Sequence, residues 1–514
     1  LYSKPNIISD RCYTIFSVPK PFLGQIGIAQ RNAITSWTKL IPRPEIILFG
    51  NVKGAAELAQ KFNLQHIPQI KVNEYGTPLL GDIFAAVHNL AQNDLIVYTN
   101  TDMIFMGDFS QAIQAVAEQL NNFLIIGRRW NLDLNESIDF QLNWEAKLKQ
   151  LVNQKGCLAD CDCKDYFVFP RHLFGVIPQF AVGRGYWDTW IVNKALSENY
   201  PVVDVSESVI AVHQNHSYSH IRGGKNEAYM GKEAQLNRTI GNLDGEGNIA
   251  SATWLLEAET ARNAPQISLI LTIDDRSIDL EKTLASIFAQ KSVDLEVLAI
   301  NNGSLPLIKA ILEAYSSKIK SIVADTTRLV PAYNRSLEIA SGKWVLFLPN
   351  NGILLPGILA KHLAIFEREA STLDLLLSGW HTIEGNNVTY SQPWKDAPNL
   401  EDLHIWMLDL IWQPLSNSIV MFRRSRLQSI DGFNERLGEK FALLEAIITL
   451  IFLKGSRAMW LKKSSCYYYD RHLTEETKII KKSLRQALDS IFNRSEIPEW
   501  MLMLKERAYR TISN

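Results

Sequence analysis

Twice along this chain, short runs of uninterrupted apolar residues alternate with longer segments of helical pattern, and that repeat leaves few folds open. In the first stretch the order is apolar at 13–18, helical at 27–40, apolar at 45–49, helical at 53–62, helical at 81–90 and apolar at 95–98. Strands that are apolar at every position, not every second one, suit a sheet covered on both faces, and the intervening helices provide the crossovers that parallel strands require. A mostly parallel α/β sheet with helices on both sides is expected. The same order returns as strand 267–273, helix 279–290, strand 295–300, helix 308–315 and strand 344–348. With 514 residues, against roughly 150 for an ordinary domain, two separate units are expected. Between them Gly241-Asn-Leu-Asp-Gly-Glu-Gly247 is the most loop-like segment, and Asn263-Ala-Pro-Gln266 leads into the new strand. The boundary is expected near residue 264, with a first domain over 1–240, a linker over 241–265 with a connecting helix at 249–261, a second domain over 266–472 and a helical tail over 473–514.

Composition narrows the function classes. A content of 46% hydrophobic, 10% aromatic and 21% charged residues can bury large cores, which excludes a disordered or disulfide-scaffold chain. The 53 basic and 54 acidic residues leave a net charge of −1, so no global field draws the chain onto nucleic acid. No run of about 18 apolar residues could span a bilayer. The tail is basic at Lys478, Lys481, Lys482 and Arg485 before the run Trp500–Leu504; a packed helical pair is expected there, with peripheral contact to a membrane surface as the other reading. Five cysteines suit a reducing, cytoplasmic compartment, at most the inner face of a membrane. The chain opens at Leu1 with no methionine and no leader pattern, as a piece of something longer would.

Several short segments carry groups capable of chemistry. The apolar run at 95–98 leads into Thr99-Asn-Thr-Asp-Met-Ile-Phe105, and ligands of α/β sheets bind beyond the carboxyl ends of strands. Asn100 and Asp102 would stand there, and a carboxylate so placed suits Mg²⁺ or Mn²⁺ bridging to phosphates; a turn or helix cap is the plainer role. Gly183-Arg-Gly-Tyr-Trp-Asp-Thr-Trp190 places Asp188 between two indoles, as a general base beside a sugar-stacking Trp187 or Trp190, or as a helix cap over core indoles. Val209-Ile-Ala-Val-His-Gln-Asn-His-Ser-Tyr-Ser-His220 groups three of the ten histidines, and His213 and His216 are candidate ligands. Arg222, Gly223, Gly224 and Lys225 follow, a stretch suited to closing over a diphosphate. Arg128 and Arg129, after the apolar run 123–126, are further candidates for phosphate contact, with a solvated basic turn as the alternative. Cys157, Cys161 and Cys163 fit the spacing of a zinc site poorly, so free thiols or one strained disulfide are expected.

Taken in order, these segments resemble the nucleotide-sugar glycosyltransferases of the GT-A fold. The resemblance covers roughly residues 10–225 and implies two tandem GT-A-like domains, the first of them active. Asn100-Thr-Asp102 stands for the Asp-x-Asp motif with its first carboxylate replaced by an amide, and Asp102 matches the position that binds the cation. Asp188 matches the catalytic base of inverting members, and His213 or His216 the late metal ligand. The second unit resembles family 2 glycosyltransferases through Ile267-Ser-Leu-Ile-Leu-Thr-Ile273, Leu298-Ala-Ile-Asn-Asn-Gly-Ser304, Pro331-Ala-Tyr-Asn-Arg-Ser336, Ala340-Ser-Gly-Lys-Trp-Val-Leu-Phe-Leu348, Leu355-Pro-Gly357 and Asp431-Gly-Phe-Asn-Glu435. Its chemical positions have drifted: Asn301 replaces the base-contacting Asp, Pro349-Asn-Asn351 the Asp-x-Asp, and Glu439-Lys440, or Leu443-Leu444, the Glu-Asp base motif. An amide cannot clamp a metal diphosphate as a carboxylate does, and neither Lys nor Leu accepts a proton, so this unit is expected to be inactive.

The expectation is therefore a metal-dependent transferase with a nucleotide-diphosphate sugar donor and a glycan or other hydroxyl acceptor. Two rivals are an inactive carbohydrate- or nucleotide-binding scaffold and a nucleotidyltransferase. Asp102, Asp188 and His213/His216 discriminate the first: if those groups do not converge on one cleft, the enzyme reading fails. The second requires a Gly-rich phosphate loop after the first strand, where this chain has Ser17-Val-Pro-Lys-Pro-Phe22.

Overall fold

The computed structural model describes residues 12–216, 224–242, 247–257, 259–275, 277, 279–323, 329–348, 351–369, 373–384, 387–391, 419–450 and 456–469, with 486 and 489. The tail expected at 473–514 therefore lies outside the described stretches. The chain divides into two units, Leu1–Ala264 and Pro265–Asn514. Among the described residues no helix is long and apolar enough to cross a membrane.

In the first unit β1 (Tyr13–Ser17), α1 (Gly24–Trp37), β2 (Glu45–Phe49), α2 (Ala55–Phe62), β3 (Gln65–Ile67), α3 (Leu80–Leu90) and β4 (Leu95–Thr99) form the alternating layer. All four strands pair in parallel, with β1 between β2 and β4. The chain continues through β5 (Met103–Ile104), α4 (Gly107–Gln119), β6 (Leu124–Ile126), β7 (Arg129–Leu132), α5 (Trp144–Lys155), β8 (Cys157–Leu158), β9 (Tyr166–Pro170), α6 (Trp187–Ser197), β10 (Val202–Asp204), β11 (Ala211–Gln214), α7 (Gly224–Met230), α8 (Lys232–Gly241), β12 (Trp254–Glu257) and β13 (Thr260–Asn263). The main sheet runs β13-β12-β10-β6-β9-β4-β1-β2-β3, with β9 antiparallel to both its neighbours. Successive side chains of a strand face opposite sides. Accordingly Tyr13 and Ile15 enter one core with Trp37 and Phe109, and Phe16 enters the other with Phe84 and Trp187. Helices α1 and α4 thus cover one face, α3 and α6 the other.

A smaller sheet, β5-β11-β7-β8, positions the site. It pairs His213 with Met103 on one side and with Asn131 on the other, which brings a late segment next to the residue that follows Asp102. The loop is fixed from behind. Buried Trp37 donates its indole N–H to Met103 O at 2.8 Å, and Gln214 donates its amide to Asp102 O at 3.1 Å and to Ala29 O at 2.8 Å.

The connecting helix expected at 249–261 is not formed. A 3₁₀ turn at Ile249–Ser251 leads into β12, which pairs parallel to β10, and β13 returns antiparallel to it. The physical reason is that Thr253-Trp-Leu-Leu256 has strand-favouring residues and meets the open edge of β10, whose unpaired backbone groups outweigh the local helical pattern. The turn passes through Glu259 in the left-handed region, φ 67.

In the second unit β14 (Ile267–Ile273), α9 (Leu280–Phe288), β15 (Leu295–Asn301), α10 (Pro306–Ala314), β16 (Lys320–Val323), α11 (Leu329–Ile339), β17 (Trp344–Leu348), β18 (Gly352–Leu354), α12 (Ile358–Arg368), β19 (Leu373–Glu384), β20 (Asn387–Ser391), β21 (Ile419–Arg423) and β22 (Arg457–Tyr469) build a sheet ordered β16-β15-β14-β17-β21-β19-β22-β18, with β20 on β19. Strands β14 to β17 are parallel, and β21 joins them antiparallel.

Glu296 ties this sheet together. Its carboxylate accepts hydrogen bonds from Ser268 Oγ (2.5 Å), Ser341 N (2.9 Å), Ser341 Oγ (3.0 Å) and Lys320 Nζ (3.1 Å). Burial alone would raise the carboxyl; these donors and the Lys320 charge outweigh it and hold Glu296 below its usual value. A depressed folded-state value adds stability above the ordinary Glu range, and that stability is lost as pH falls through the folded value. Glu296→Gln is expected to cost roughly 1.5–3 kcal/mol at pH 7 in denaturant unfolding, the worth of hydrogen bonds to a charged group. The difference from wild type should shrink as the pH is taken down through the carboxylate range.

Candidate active site

Strand β4 delivers Asn100, Thr101 and Asp102 beyond its carboxyl end, where they line a solvent-open cleft. Asp102 is only 5% exposed. Its Oδ2 lies 2.9 Å from His216 Nε2 and 3.7 Å from Lys20 Nζ, and Lys20 Nζ lies 3.4 Å from the same His216 nitrogen. The other carboxylate oxygen, Oδ1, is buried with no hydrogen-bond partner among the described residues, and so is Nδ1 of His213. Ligand atoms of Asp102, His213 and His216 all lie within 4.8 Å of one another. A buried acceptor without a partner costs about 1–3 kcal/mol. A cation shared by these groups would satisfy both orphaned atoms at once, so the residues present fit a divalent metal.

The electrostatics agree. Burial by itself would raise the Asp102 carboxyl, but the His216 hydrogen bond and the nearby Lys20 charge outweigh it and hold the group well below the usual carboxylate range. Burial pushes His213 below its usual imidazole value, more than the neighbouring Asp102 and Asp165 raise it. At neutral pH the site therefore presents a carboxylate and an unprotonated imidazole.

Around this centre lie groups that the sequence reading did not single out. Asp165, just before β9, accepts from Asn100 Nδ2 at 2.5 Å and from Arg129 Nη1 at 2.5 Å. Because β9 runs antiparallel to β4, Tyr166 sits opposite Thr99, and its preceding residue meets Asn100. The amide standing where the resemblance has a first carboxylate is thus held by a carboxylate from elsewhere in the chain. Lys20 follows β1 at its carboxyl end. Its signal was positional, a lone cation between two prolines in the first strand-to-helix loop.

Asp188 lies in the first turn of α6 and faces the same cleft. It is not the helix cap; Tyr186 occupies that position with φ 93, a strained value for a residue with a side chain. Lys164 Nζ lies 3.6 Å from Asp188 Oδ2, on a side chain only 2% exposed. Trp187 also lines the cleft, but its ring packs edgewise on Tyr98 (4.8 Å) and Phe167 (4.9 Å). Trp190 is a core residue against Phe180, at 5.3 Å, which corrects its proposed role in stacking on a sugar.

Arg128 is also corrected. Its guanidinium donates to Ala159 O at 2.7 Å, and it is Arg129, the first residue of β7, that lines the cleft. Lys225 falls in α7, but its side chain and residues 217–223, including His220 and Arg222, lie outside what is described. Cys157 and Cys163 carry free thiols, and Cys161 is buried.

In the second unit Asn301 ends β15 and accepts a hydrogen bond from Gly303 N at 2.9 Å, which makes it a turn residue here. Asn351 is buried; residues 349 and 350 and the side chains of Glu439, Lys440 and Leu444 lie outside the description, while Leu443 packs against the core.

Comparison with known proteins places residues 268–430 on the family described as glycosyl transferase family 2. No curated protein sequence matches the chain. Among solved structures, TarS 1–349 of S. aureus in complex with UDP-GlcNAc is similar at 20% identity and TM-score 0.38, over 48% of this chain and 72% of that one. A mannosyltransferase from Pyrobaculum calidifontis in complex with GDP-Man and Mn²⁺ is similar at 15% identity and TM-score 0.36, over 48% and 70%. Glucosyl-3-phosphoglycerate synthase from Mycobacterium tuberculosis, in complex with Mn²⁺, UDP and glucosyl-3-phosphoglycerate, is similar at 18% identity and TM-score 0.32, over 46% and 81%. The stretch 268–430 thus carries a glycosyl transferase family 2 domain, the family that its sequence motifs resemble.

Proposed function

We propose that the first unit is a metal-dependent glycosyltransferase that moves a sugar from a nucleotide-diphosphate donor to a hydroxyl acceptor, with inversion, in glycan or polysaccharide assembly. The observation that carries this reading is the meeting of Asp102, His213 and His216, two of them with orphaned buried ligand atoms, in the cleft that also holds Asp188. Asp102, His213 and His216 would hold the cation, and two imidazoles beside one carboxylate suit Mn²⁺ better than Mg²⁺, which prefers oxygen. The cation would supply neutralising charge to the departing diphosphate.

The remaining work falls to side chains of this unit. Asp188 accepts the proton of the acceptor hydroxyl as its oxygen bonds to the anomeric carbon and the bond from that carbon to the diphosphate oxygen breaks; attack from the far face inverts the centre. Lys164 orients the Asp188 carboxylate. Asp165, itself paired with Arg129, holds Asn100 in the site. The family 2 unit, with amides at its drifted positions, serves in this reading as a non-catalytic partner. Free thiols fit work in a reducing compartment.

The test is release of nucleoside diphosphate from a panel of nucleotide sugars with and without Mn²⁺. Turnover of one donor that needs the metal is expected. Metal-independent turnover overturns the mechanism, and donor binding without turnover by any panel member favours the scaffold reading instead.

A further inference from the structure

Lys20 is positioned with unusual care for a residue whose tip is partly exposed. Its backbone N–H donates to Gln30 Oε1 at 2.7 Å, and its carbonyl accepts from Gln30 Nε2 at 2.8 Å. Gln30 is 1% exposed, and the same Oε1 accepts from Thr101 Oγ1 at 2.8 Å, so one buried amide on α1 ties the Lys20 peptide to the loop that carries Asp102. Prolines on either side restrict the backbone further. Gly27 lets α1 approach this loop closely, because a Cβ there would strike the Phe22 backbone. The side chain is left as the movable part, 30% exposed.

That side chain sits on the metal ligands. Lys20 Nζ lies within 3.7 Å of Asp102 Oδ2 and 3.4 Å of His216 Nε2, and an ammonium and a divalent cation cannot both hold this position, since they repel and claim the same lone pairs. From Lys20's placement beside these ligands we infer that it is a resident counter-cation, displaced when the metal loads and thereby delivered to the donor's diphosphate. This inference rests on the metal-dependent reading above. It assigns to one residue two opposite effects, competition with the metal and attraction of the anion, which a merely structural lysine would not show.

The experiment measures Mn²⁺ binding by the disappearance of the free-ion electron paramagnetic resonance signal, and inorganic pyrophosphate binding by calorimetry at saturating Mn²⁺. Wild type, Lys20→Met and Lys20→Arg are compared, with thermal melts to confirm folding. Lys20→Met should bind Mn²⁺ about tenfold more tightly, because a competing charge is gone. It should bind pyrophosphate about tenfold more weakly, the loss expected for one hydrogen bond to a charged group. Lys20→Arg, which keeps the charge, should stay near wild type in both. If wild type binds Mn²⁺ but Lys20→Met binds it no tighter, or pyrophosphate affinity does not fall, the exchange is wrong while the metal centre stands. If neither wild type nor variant binds Mn²⁺, the metal-dependent reading fails and the exchange fails with it.

Discussion

Asp102→Ala is expected to remove Mn²⁺ binding and, with it, metal-dependent turnover. The substitution deletes the one carboxylate of the cluster, so the loss in Mn²⁺ affinity should exceed the roughly 10–100-fold that follows from losing an outer partner of a metal ligand. Stability should respond differently. Asp102 is a buried charge with one oxygen unpartnered, and removing such a group spares a desolvation cost even as it frees His216 and Lys20. The thermal midpoint of the apo protein should therefore fall little compared with the collapse of binding, and titration of Mn²⁺ beside a melting curve separates the two. The pH dependence has a defined sign. Because burial holds His213 below the ordinary imidazole value of 6.5, proton competition at that ligand begins below that pH. Loss of activity with intact Mn²⁺ binding in Asp102→Ala would show that the cation sits elsewhere.

Asp188→Asn is expected to lower turnover by about 10²–10⁴-fold, the usual worth of a general base, with Mn²⁺ affinity unchanged. Asparagine preserves the shape in the first turn of α6 and can still lie against Lys164, so the loss isolates the missing proton acceptor. Turnover near wild type would remove Asp188 from the reaction. A parallel fall in Mn²⁺ affinity would make it a contributor to the metal centre instead.

The leading strands and helices of each unit, up to residue 98 in the first and from 267 to 348 in the second, were legible because their apolar runs are local and their periods differ. Asp102 stands just beyond β4 and His216 just beyond β11, where strand ends converge, while His213 lies within β11 itself. What could not be read is whatever depends on pairing between distant segments. Asp165 meets Asn100 only because β9 inserts antiparallel beside β4, and nothing within a few residues of Asp165 reports that partner. Lys20 was visible but lacked the glycines of a phosphate loop, and its importance comes from Gln30 and Thr101, which the chain brings together by folding. Arg128 and Trp190 erred in the opposite direction. Their residue types suit ligands, but a backbone carbonyl takes the guanidinium of one and a core closed over the other. The segment at 249–261 failed because an exposed edge of a sheet is a tertiary fact that no local propensity contains.

That edge has a practical bearing on where the chain can be divided. The loop at 241–247 is the place where composition suggests a cut, yet β12 and β13 lie beyond it and belong to the first unit's sheet. A fragment ending at residue 240 would leave β10 as a bare rim of unsatisfied peptide groups, the kind of surface that recruits a strand from another molecule. It would also remove Leu256 from the core formed with Val203 and Val205. A fragment that keeps the first unit's sheet whole therefore ends with the hairpin, at Asn263, one residue short of Ala264 where the first unit closes.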